Sequence, residues 1–384
     1  MRKVIVEADN IINSLGFTTQ EVLMEIEKGN VGMKIYNNLL PVEQGFCLSL
    51  VDNDSFGKKH PSISQNSNLT RFEKLIVASV QDAIKDQKVD IKSQETLIII
   101  STTKGNIDLL EADKGYDKSR VMLSSSAKII ANYFGNPNLP KIVSNACISG
   151  SLALIWAKEL LENGKYKNII VTGGDLASKF VLSGFHSFAA LSPTYAKPFD
   201  CERVGLNLGE GAATVLLSVA DECNVPQNKI AIYGGVTAND ANHISGPSRT
   251  GEGLVRAIQR TIGNIDINDI AFINAHGTAT LYNDDMEAIS FEKTKLNNKF
   301  INSYKGYFGH TLGAAGLMET ILSTRALQQG IVHKSAGFEK SSLEFPLNVT
   351  TRNEVSKGRF ALKTASGFGS CNAALLLERV GGAE

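Results

Sequence analysis

Ile142-Val143-Ser144-Asn145-Ala146-Cys147-Ile148-Ser149-Gly150 is the stretch on which the fold turns. An apolar strand runs into a small-residue turn, and a helical segment from Ser149 to Asn163, stopped by Gly164, follows at once. Strand, turn and helix in that order form the unit of an α/β protein. A side chain on such a turn is presented at the strand's carboxyl end, where open α/β sheets place their sites. The helix start offers unpaired N–H groups and a positive dipole end, both of which favour a thiolate and lower a cysteine's pKa. Taken alone, Cys147 also reads as a small buried hydrophobe.

Outward from this stretch the same alternation repeats. Leu97–Ile100, Ile169–Val171, Val215–Leu217, Ile230–Ile232, Ile270–Ile273, Phe300-Ile301 and Ala374–Leu377 read as buried strands. Phe72 to Lys85, Gly253 to Thr261, and Gly313 to Gln329 before Gly330 read as helices. Strands alternating with helices predict a mostly parallel sheet covered on both faces. The most polar break near the middle is Asp221–Lys229. It divides the chain into an amino-terminal half, 1–222, and a carboxyl-terminal half, 223–384.

Composition narrows the function. Lys plus Arg number 39 and Asp plus Glu number 39, so no net positive charge recommends nucleic acid as a partner. Only 20% of residues are charged and 43% are hydrophobic, which predicts extensive burial, including surface hidden in an oligomer. Five cysteines (Cys47, Cys147, Cys201, Cys223 and Cys371) are odd in number and nowhere spaced as C-x-x-C, so a reducing cytoplasm with free thiols is expected. No run approaches the roughly 18 apolar residues of a membrane span, and the amino terminus lacks a secretory apolar region.

Three further segments close strands with chemically capable residues. Ile273-Asn274-Ala275-His276-Gly277-Thr278-Ala279-Thr280 points an imidazole into a crevice, with Asn283-Asp284-Asp285-Met286-Glu287 following. The spacing of His276, Asp284 and Glu287 matches no metal motif, and no metal is expected. Ser303-Tyr304-Lys305-Gly306-Tyr307-Phe308-Gly309-His310 leads into a Gly/Ala-rich helix start, Gly313 to Gly316, whose simplest use is tight helix packing. Ala365-Ser366-Gly367-Phe368-Gly369-Ser370-Cys371-Asn372 is a Gly-flanked turn between strands, able to aim backbone N–H groups at an oxyanion. One cysteine, two histidines and such a turn are the parts of thiol-based acyl transfer. His60, His186, His243 and His333 and the other cysteines lack this setting and read as structural.

Together these segments resemble the elongating β-ketoacyl-[acyl-carrier-protein] synthases. The likeness rests on Asn145-Ala146-Cys147, His276 to Thr280 with Asn283-Asp284 and Glu287, Lys305 with Gly309-His310, and Gly367-Phe368-Gly369. Pro198-Phe199-Asp200 with Arg203, Gly205 and Gly209-Glu210-Gly211-Ala212 adds a further block. The resemblance implies the thiolase-like fold, α/β, five-layered α-β-α-β-α from two pseudo-duplicated halves, the first carrying the nucleophilic cysteine and the second both histidines. It implies that Cys147 takes an acyl chain from the phosphopantetheine of acyl carrier protein. Malonyl carrier protein then loses carbon dioxide, and the resulting enolate attacks the acyl-cysteine. His276 and His310 would donate to the malonyl thioester oxygen, and the N–H groups of Cys147 and Phe368 would form the oxyanion hole, with Phe368 also gating the acyl pocket. Lys305 and Glu287 would form an ion pair ordering the site, and Thr278 and Thr280 would hydrogen-bond the pantetheine arm. No cofactor is implied beyond the carrier's own arm. The expected partners are acyl carrier protein and a second subunit, identical or related.

Several positions depart from the family pattern. Ala279 replaces a glycine or serine, Ser370-Cys371 replaces Gly-Thr, and Val6-Glu7-Ala8-Asp9 stands where Thr-Gly-hydrophobic-Gly is usual. Such short, divergent chains resemble synthases of aryl-polyene or other specialised polyketide-like pathways more than those of housekeeping fatty-acid synthesis. A degradative thiolase would carry a Cys-x-Gly loop where Cys371-Asn372-Ala373 stands. An initiating synthase would have asparagine at position 310. The alternatives that remain are a non-catalytic partner of the chain-length-factor kind and a cysteine hydrolase.

Overall fold

The unbroken apolar runs become strands covered on both faces. In the computed structural model, which describes residues 2–43, 45–221 and 225–381, Leu97 and Ile99 enter one core while Ile98 and Ile100 enter another. Leu375 and Leu377 separate from Ala374 and Leu376 in the same way. A strand buried on both sides keeps no polar face, so its sequence cannot alternate.

Ten strands form the main sheet: β1 (Arg2–Ile12), β2 (Thr96–Ser101), β3 (Lys141–Val143), β4 (Asn168–Asp175) and β5 (Gly211–Asp221), then β6 (Lys229–Asn239), β7 (Ile270–Asn274), β8 (Phe300–Asn302), β9 (Phe360–Gly367) and β10 (Cys371–Val380). Their spatial order is β8-β7-β9-β10-β6-β1-β5-β4-β2-β3. Counted within its own half, each set of five runs third, second, fourth, fifth, first. The two sets meet where Ile5 pairs with Ala231. This repeat is the duplication expected of the thiolase-like fold. The boundary placed at 222–223 lies outside the described residues.

Helices complete five layers. α1 (Arg71–Ile84) and α2 (Leu123–Tyr133) cover the outer face of the first half. α3 (Ser149–Glu162) lies in the middle, and α4 (Lys179–Ser187) belongs to the long connection between β4 and β5. α5 (Glu252–Ile262) and α6 (Leu281–Lys293) cover the outer face of the second half. The short α7 (Lys305–Phe308) precedes α8 (Ala315–Gln329), which packs beside α3 between the two sets of strands. Among the described residues no helix is long and apolar enough to cross a membrane.

The expectation of a mostly parallel sheet is corrected. β3, β2 and β4 pair in parallel, as do β8, β7 and β9. The contacts β4–β5, β5–β1, β6–β10 and β9–β10 are antiparallel. The reason lies in how the strands are connected. β9 and β10 are joined by a short hairpin rather than a helix, and β1 inserts its edge beside β5, so helical crossovers serve only the outer strands.

The Gly/Ala-rich start of α8 performs the packing expected of it. A Cβ on Gly150 would lie 2.6 Å from the backbone nitrogen of Leu317, and one on Gly316 would lie 2.6 Å from that of Ser151. Side chains at these positions would force the central helices apart. Because α3 and α8 follow the equivalent strands β3 and β8, the turns carrying Cys147 and His310 occupy equivalent places and open on the same edge.

Candidate active site

Cys147 lies on the turn between β3 and α3. Ala146 before it adopts a left-handed backbone conformation, φ 45°, a strained geometry for a residue with a Cβ. Ser149 holds the turn, accepting from the Asn145 N–H at 2.8 Å and donating to the Ala146 carbonyl at 2.6 Å. Across the site Gly367 allows close approach, since a Cβ there would lie 3.0 Å from the Cys147 nitrogen and 3.2 Å from the Cys371 sulfur. The Phe368 N–H faces the Cys147 sulfur and favours its thiolate, as does Lys305. Burial outweighs both: it pushes the Cys147 thiol up to about 12, with Cys371 acting in the same direction. The thiolate expected from the helix start is therefore corrected. Burial favours the neutral thiol, because desolvation of the anion exceeds what the neighbouring donors return.

His276 follows β7, and its backbone is gripped from both sides. Its N–H donates to Glu287 Oε1 at 2.8 Å, the Gly277 N–H donates to Glu287 Oε2 at 2.6 Å, and its carbonyl accepts from Lys305 Nζ at 2.6 Å. His310 is fixed by the segment before β5: its N–H donates to the Asn207 carbonyl at 2.7 Å, and its carbonyl accepts from the Gly209 N–H at 2.9 Å. The two rings meet edge to face with centroids 5.2 Å apart. The Cys147 sulfur and one nitrogen from each ring lie within 4.8 Å of one another. Burial holds both imidazoles well below the ordinary histidine range, and the ammonium groups of Lys305 and Lys363 add to the effect. Both rings are therefore neutral. Nδ1 of His276 and Nε2 of His310 are buried without protein partners.

The expected ion pair between Lys305 and Glu287 is not formed. Lys305 Nζ lies 2.5 Å from Glu319 Oε1, on α8. Glu287 is occupied by the N–H groups of His276 and Gly277, the Thr364 hydroxyl at 3.0 Å and the Asn283 amide at 3.1 Å. Glu287 on α6 comes to the loop from the side of the backbone N–H groups, while Lys305 comes from the side of the carbonyl. Each thus meets the His276 peptide rather than the other. Asp284 is similarly spent, accepting from the N–H groups of Phe199 at 2.7 Å and Thr278 at 3.0 Å. Its carboxyl is pushed up to about 7, chiefly by burial. Neither carboxylate points into the cavity.

A cavity of about 300 Å³ leads to this cluster. Thr278 and Thr280 line it, their hydroxyls 2.8 Å apart. Phe368 stands on the β9–β10 hairpin, stacked on Phe185 at 5.5 Å and edge-on to Phe188 at 5.6 Å. The Pro198–Asp200 block buttresses the site from outside. Phe199, at φ 65°, turns its N–H to Asp284, and Arg203 ties the Asp200 carbonyl to the Asp285 carboxylate.

The amino-terminal domain of the β-ketoacyl synthases matches residues 34–222 and the carboxyl-terminal domain matches residues 230–339. The chain belongs to the β-ketoacyl synthase family. It is 26% identical over 352 residues to a putative mitochondrial 3-oxoacyl-[acyl-carrier-protein] synthase of Schizosaccharomyces pombe, covering 80% of this chain and 81% of that one. It is 26% identical over 409 residues to 3-oxoacyl-[acyl-carrier-protein] synthase 2 of Synechocystis, covering 98% of each. Its fold matches a ketosynthase in complex with its chain length factor from Xenorhabdus doucetiae, with a TM-score of 0.85, 26% identity, and coverage of 99% of this chain and 98% of that one.

In this family member the residues missed by sequence reasoning are Glu319 and Lys363, with Phe185 and Phe188. Glu319 sits inside a helix that reads as ordinary packing, and its single signal is a carboxylate among apolar neighbours. Lys363 carries a similar signal, a lysine directly after the apolar run Phe360-Ala361-Leu362 in a buried strand. Of the other cysteines, Cys47, Cys201 and Cys371 are free thiols, Cys371 lying beside the Cys147 turn, and Cys223 lies outside the described residues. His60, His186, His243 and His333 stand apart from the cavity.

Proposed function

We propose that the chain catalyses decarboxylative Claisen condensation of malonyl-[acyl carrier protein] with an acyl group held on Cys147. The observation that carries this reading is the convergence of one thiol and two neutral imidazoles, each ring keeping a buried nitrogen free, at the end of a cavity lined by Thr278 and Thr280. In the first step the Cys147 sulfur attacks the carrier's thioester. Its proton passes to the departing pantetheine thiol by way of a neighbouring neutral imidazole, and the N–H groups of Cys147 and Phe368 receive the developing oxyanion. In the second, malonyl carrier protein loses carbon dioxide, and hydrogen bonds from His276 and His310 stabilise the enolate oxygen. The enolate carbon then bonds to the acyl carbon while the carbon–sulfur bond to Cys147 breaks. The departing Cys147 thiolate takes up a proton from solvent to regain the thiol, and the β-ketoacyl chain stays on the carrier.

This chemistry calls for no cofactor beyond the carrier's phosphopantetheine, and free thiols suit a cytoplasmic setting. The relatives named for acyl-carrier-protein substrates support the carrier as partner. The ketosynthase–chain length factor neighbour supports a paired assembly, as a homodimer or with a related subunit. A non-catalytic partner would have no use for the three converging groups. Incubation with malonyl carrier protein and an acyl donor tests the reading. Release of carbon dioxide and an acyl mass increase on Cys147 are expected; a folded protein giving neither is a scaffold subunit. Rapid hydrolysis of the acyl-enzyme in water would instead indicate a hydrolase.

A further inference from the structure

Behind His276 lies a second buried ammonium for which the reaction just described has no use. Lys363, on β9, is fully buried, and its Nζ lies 2.6 Å from Glu319 Oε2. It also donates to the Thr364 carbonyl at 2.5 Å and the Ala275 carbonyl at 3.4 Å. The other oxygen of Glu319 receives Lys305, which holds the His276 carbonyl. One carboxylate thus bridges two ammonium groups that grip consecutive carbonyls, Ala275 and His276. Thr364 closes the circuit: its carbonyl accepts from Lys363 while its hydroxyl donates to Glu287, whose oxygens take the N–H groups of His276 and Gly277. Lys305, Lys363, Glu319 and Glu287 make a sealed quartet, two charges of each sign, drawn from α7, β9, α8 and α6.

We propose that Lys363 is a positioning residue for the condensation, fixing the His276 loop through Ala275 and Glu319 and balancing the second carboxylate beneath the imidazole. A single lysine would anchor the loop but would leave two buried carboxylates facing one cation, an arrangement that attracts a proton to the nearest base. The nearest bases are His276 and His310. The charged or titratable groups around His276 are Lys305, Lys363, Glu319, Glu287, His310 and Cys147, and the ammonium groups among them oppose a positive ring. Lys363 is itself held down to about 8 by burial, the expected sign for an ammonium retained only because a carboxylate is beside it. This role rests on the proposed condensation, since a neutral donor is what the enolate step requires.

The test compares wild type, Lys363→Gln, Lys363→Met and the double variant Glu319→Gln/Lys363→Gln, each as the full chain. Histidine-ring NMR, with the His276 signal assigned through His276→Ala, reads protonation without reference to turnover. Removing the Lys363 charge alone moves His276 titration, and the acid limb of malonyl decarboxylation, upward by about one pH unit. Because the His276 loop also loses its hold through Ala275 and Glu319, decarboxylation near neutral pH falls about tenfold, with KM for malonyl carrier protein changed less than about twofold. In the double variant, which loses one charge of each sign, the titration returns toward wild type. Folded single variants with unmoved His276 titration overturn the proposal. If neither single variant folds, the double variant is compared with Glu319→Gln. Titration higher in the double supports the role, and equal titration overturns it. A wild-type protein that releases no carbon dioxide would sink the condensation reading, while the NMR comparison would still decide whether Lys363 governs the ring.

Discussion

The backbone N–H of Leu312 donates to Nδ1 of His310 over 3.3 Å, and this one bond determines which imidazole nitrogen faces the cavity as a donor. With Nδ1 accepting, the proton of the neutral ring resides on Nε2, which is buried without a protein partner. His310 is thus built to give a hydrogen bond. Replacing it with alanine removes a donor needed when charge builds on the malonyl thioester oxygen. Decarboxylation is expected to fall about 10²- to 10³-fold, with acyl loading reduced far less. Carbon dioxide release and acyl-enzyme mass, followed in parallel, check this. A folded variant impaired only in loading contradicts the assignment.

Cys147→Ala separates the same two steps in the opposite sense. Acyl loading is abolished because, among the described residues, Cys147 alone brings a thiol to the junction of the two rings. Malonyl decarboxylation persists because His276 and His310 keep their neutral state and their anchors. Equal loss of both activities in a folded variant would show that the sulfur, and not the imidazoles alone, is needed for the enolate.

The state of the thiol has its own pH signature. With burial and Cys371 pushing Cys147 up to about 12, the thiolate fraction grows about tenfold for each pH unit through the neutral range. Alkylation of Cys147 by iodoacetamide should therefore accelerate without a plateau between about pH 7 and 9. A plateau near neutrality would mean that the α3 amino terminus, Lys305 and the Phe368 N–H together overcome desolvation.

Much of this was legible before any coordinates. Cys147, His276, His310 and Phe368 each follow a strand and are flanked by small residues or glycine, a local pattern that survives in one dimension. The central helix contact was legible for the same reason, since Gly313 and Gly316 have little other use at a helix start. Pairing partners were not. Lys305 was assigned to Glu287 because both lie in recognisable motifs, yet its carboxylate is Glu319, one turn into a helix with no motif around it. Strand direction was also hidden. The sequence marks β5 and β10 as apolar runs but says nothing about β1 lying antiparallel beside β5, which depends on residues some two hundred positions away. The thiol's protonation failed for a third reason: the dipole of α3 is local and readable, whereas desolvation is a sum over both halves.

His333 supplies a stability prediction distinct from the chemistry. Its ring is buried, with Nδ1 2.9 Å from the Tyr304 hydroxyl, and burial lowers it from an ordinary 6.5 to about 4. A histidine depressed in the folded state binds its proton more readily when unfolded. Its contribution is therefore fully present above about pH 6.5 and is lost as pH falls toward about 4, amounting to roughly 3 kcal/mol across that window. Urea unfolding at about pH 7 and pH 4.5 should show the wild type losing stability steeply. His333→Gln keeps a polar partner for Tyr304 but cannot titrate, so it should start less stable at neutral pH and lose less on acidification. His276 and His310 are depressed as well and will still contribute to the fall, so the decisive quantity is the difference in slope between variant and wild type. Parallel slopes would mean that the folded protein admits a proton at His333, and that the Tyr304 hydroxyl does not hold the ring in its neutral form.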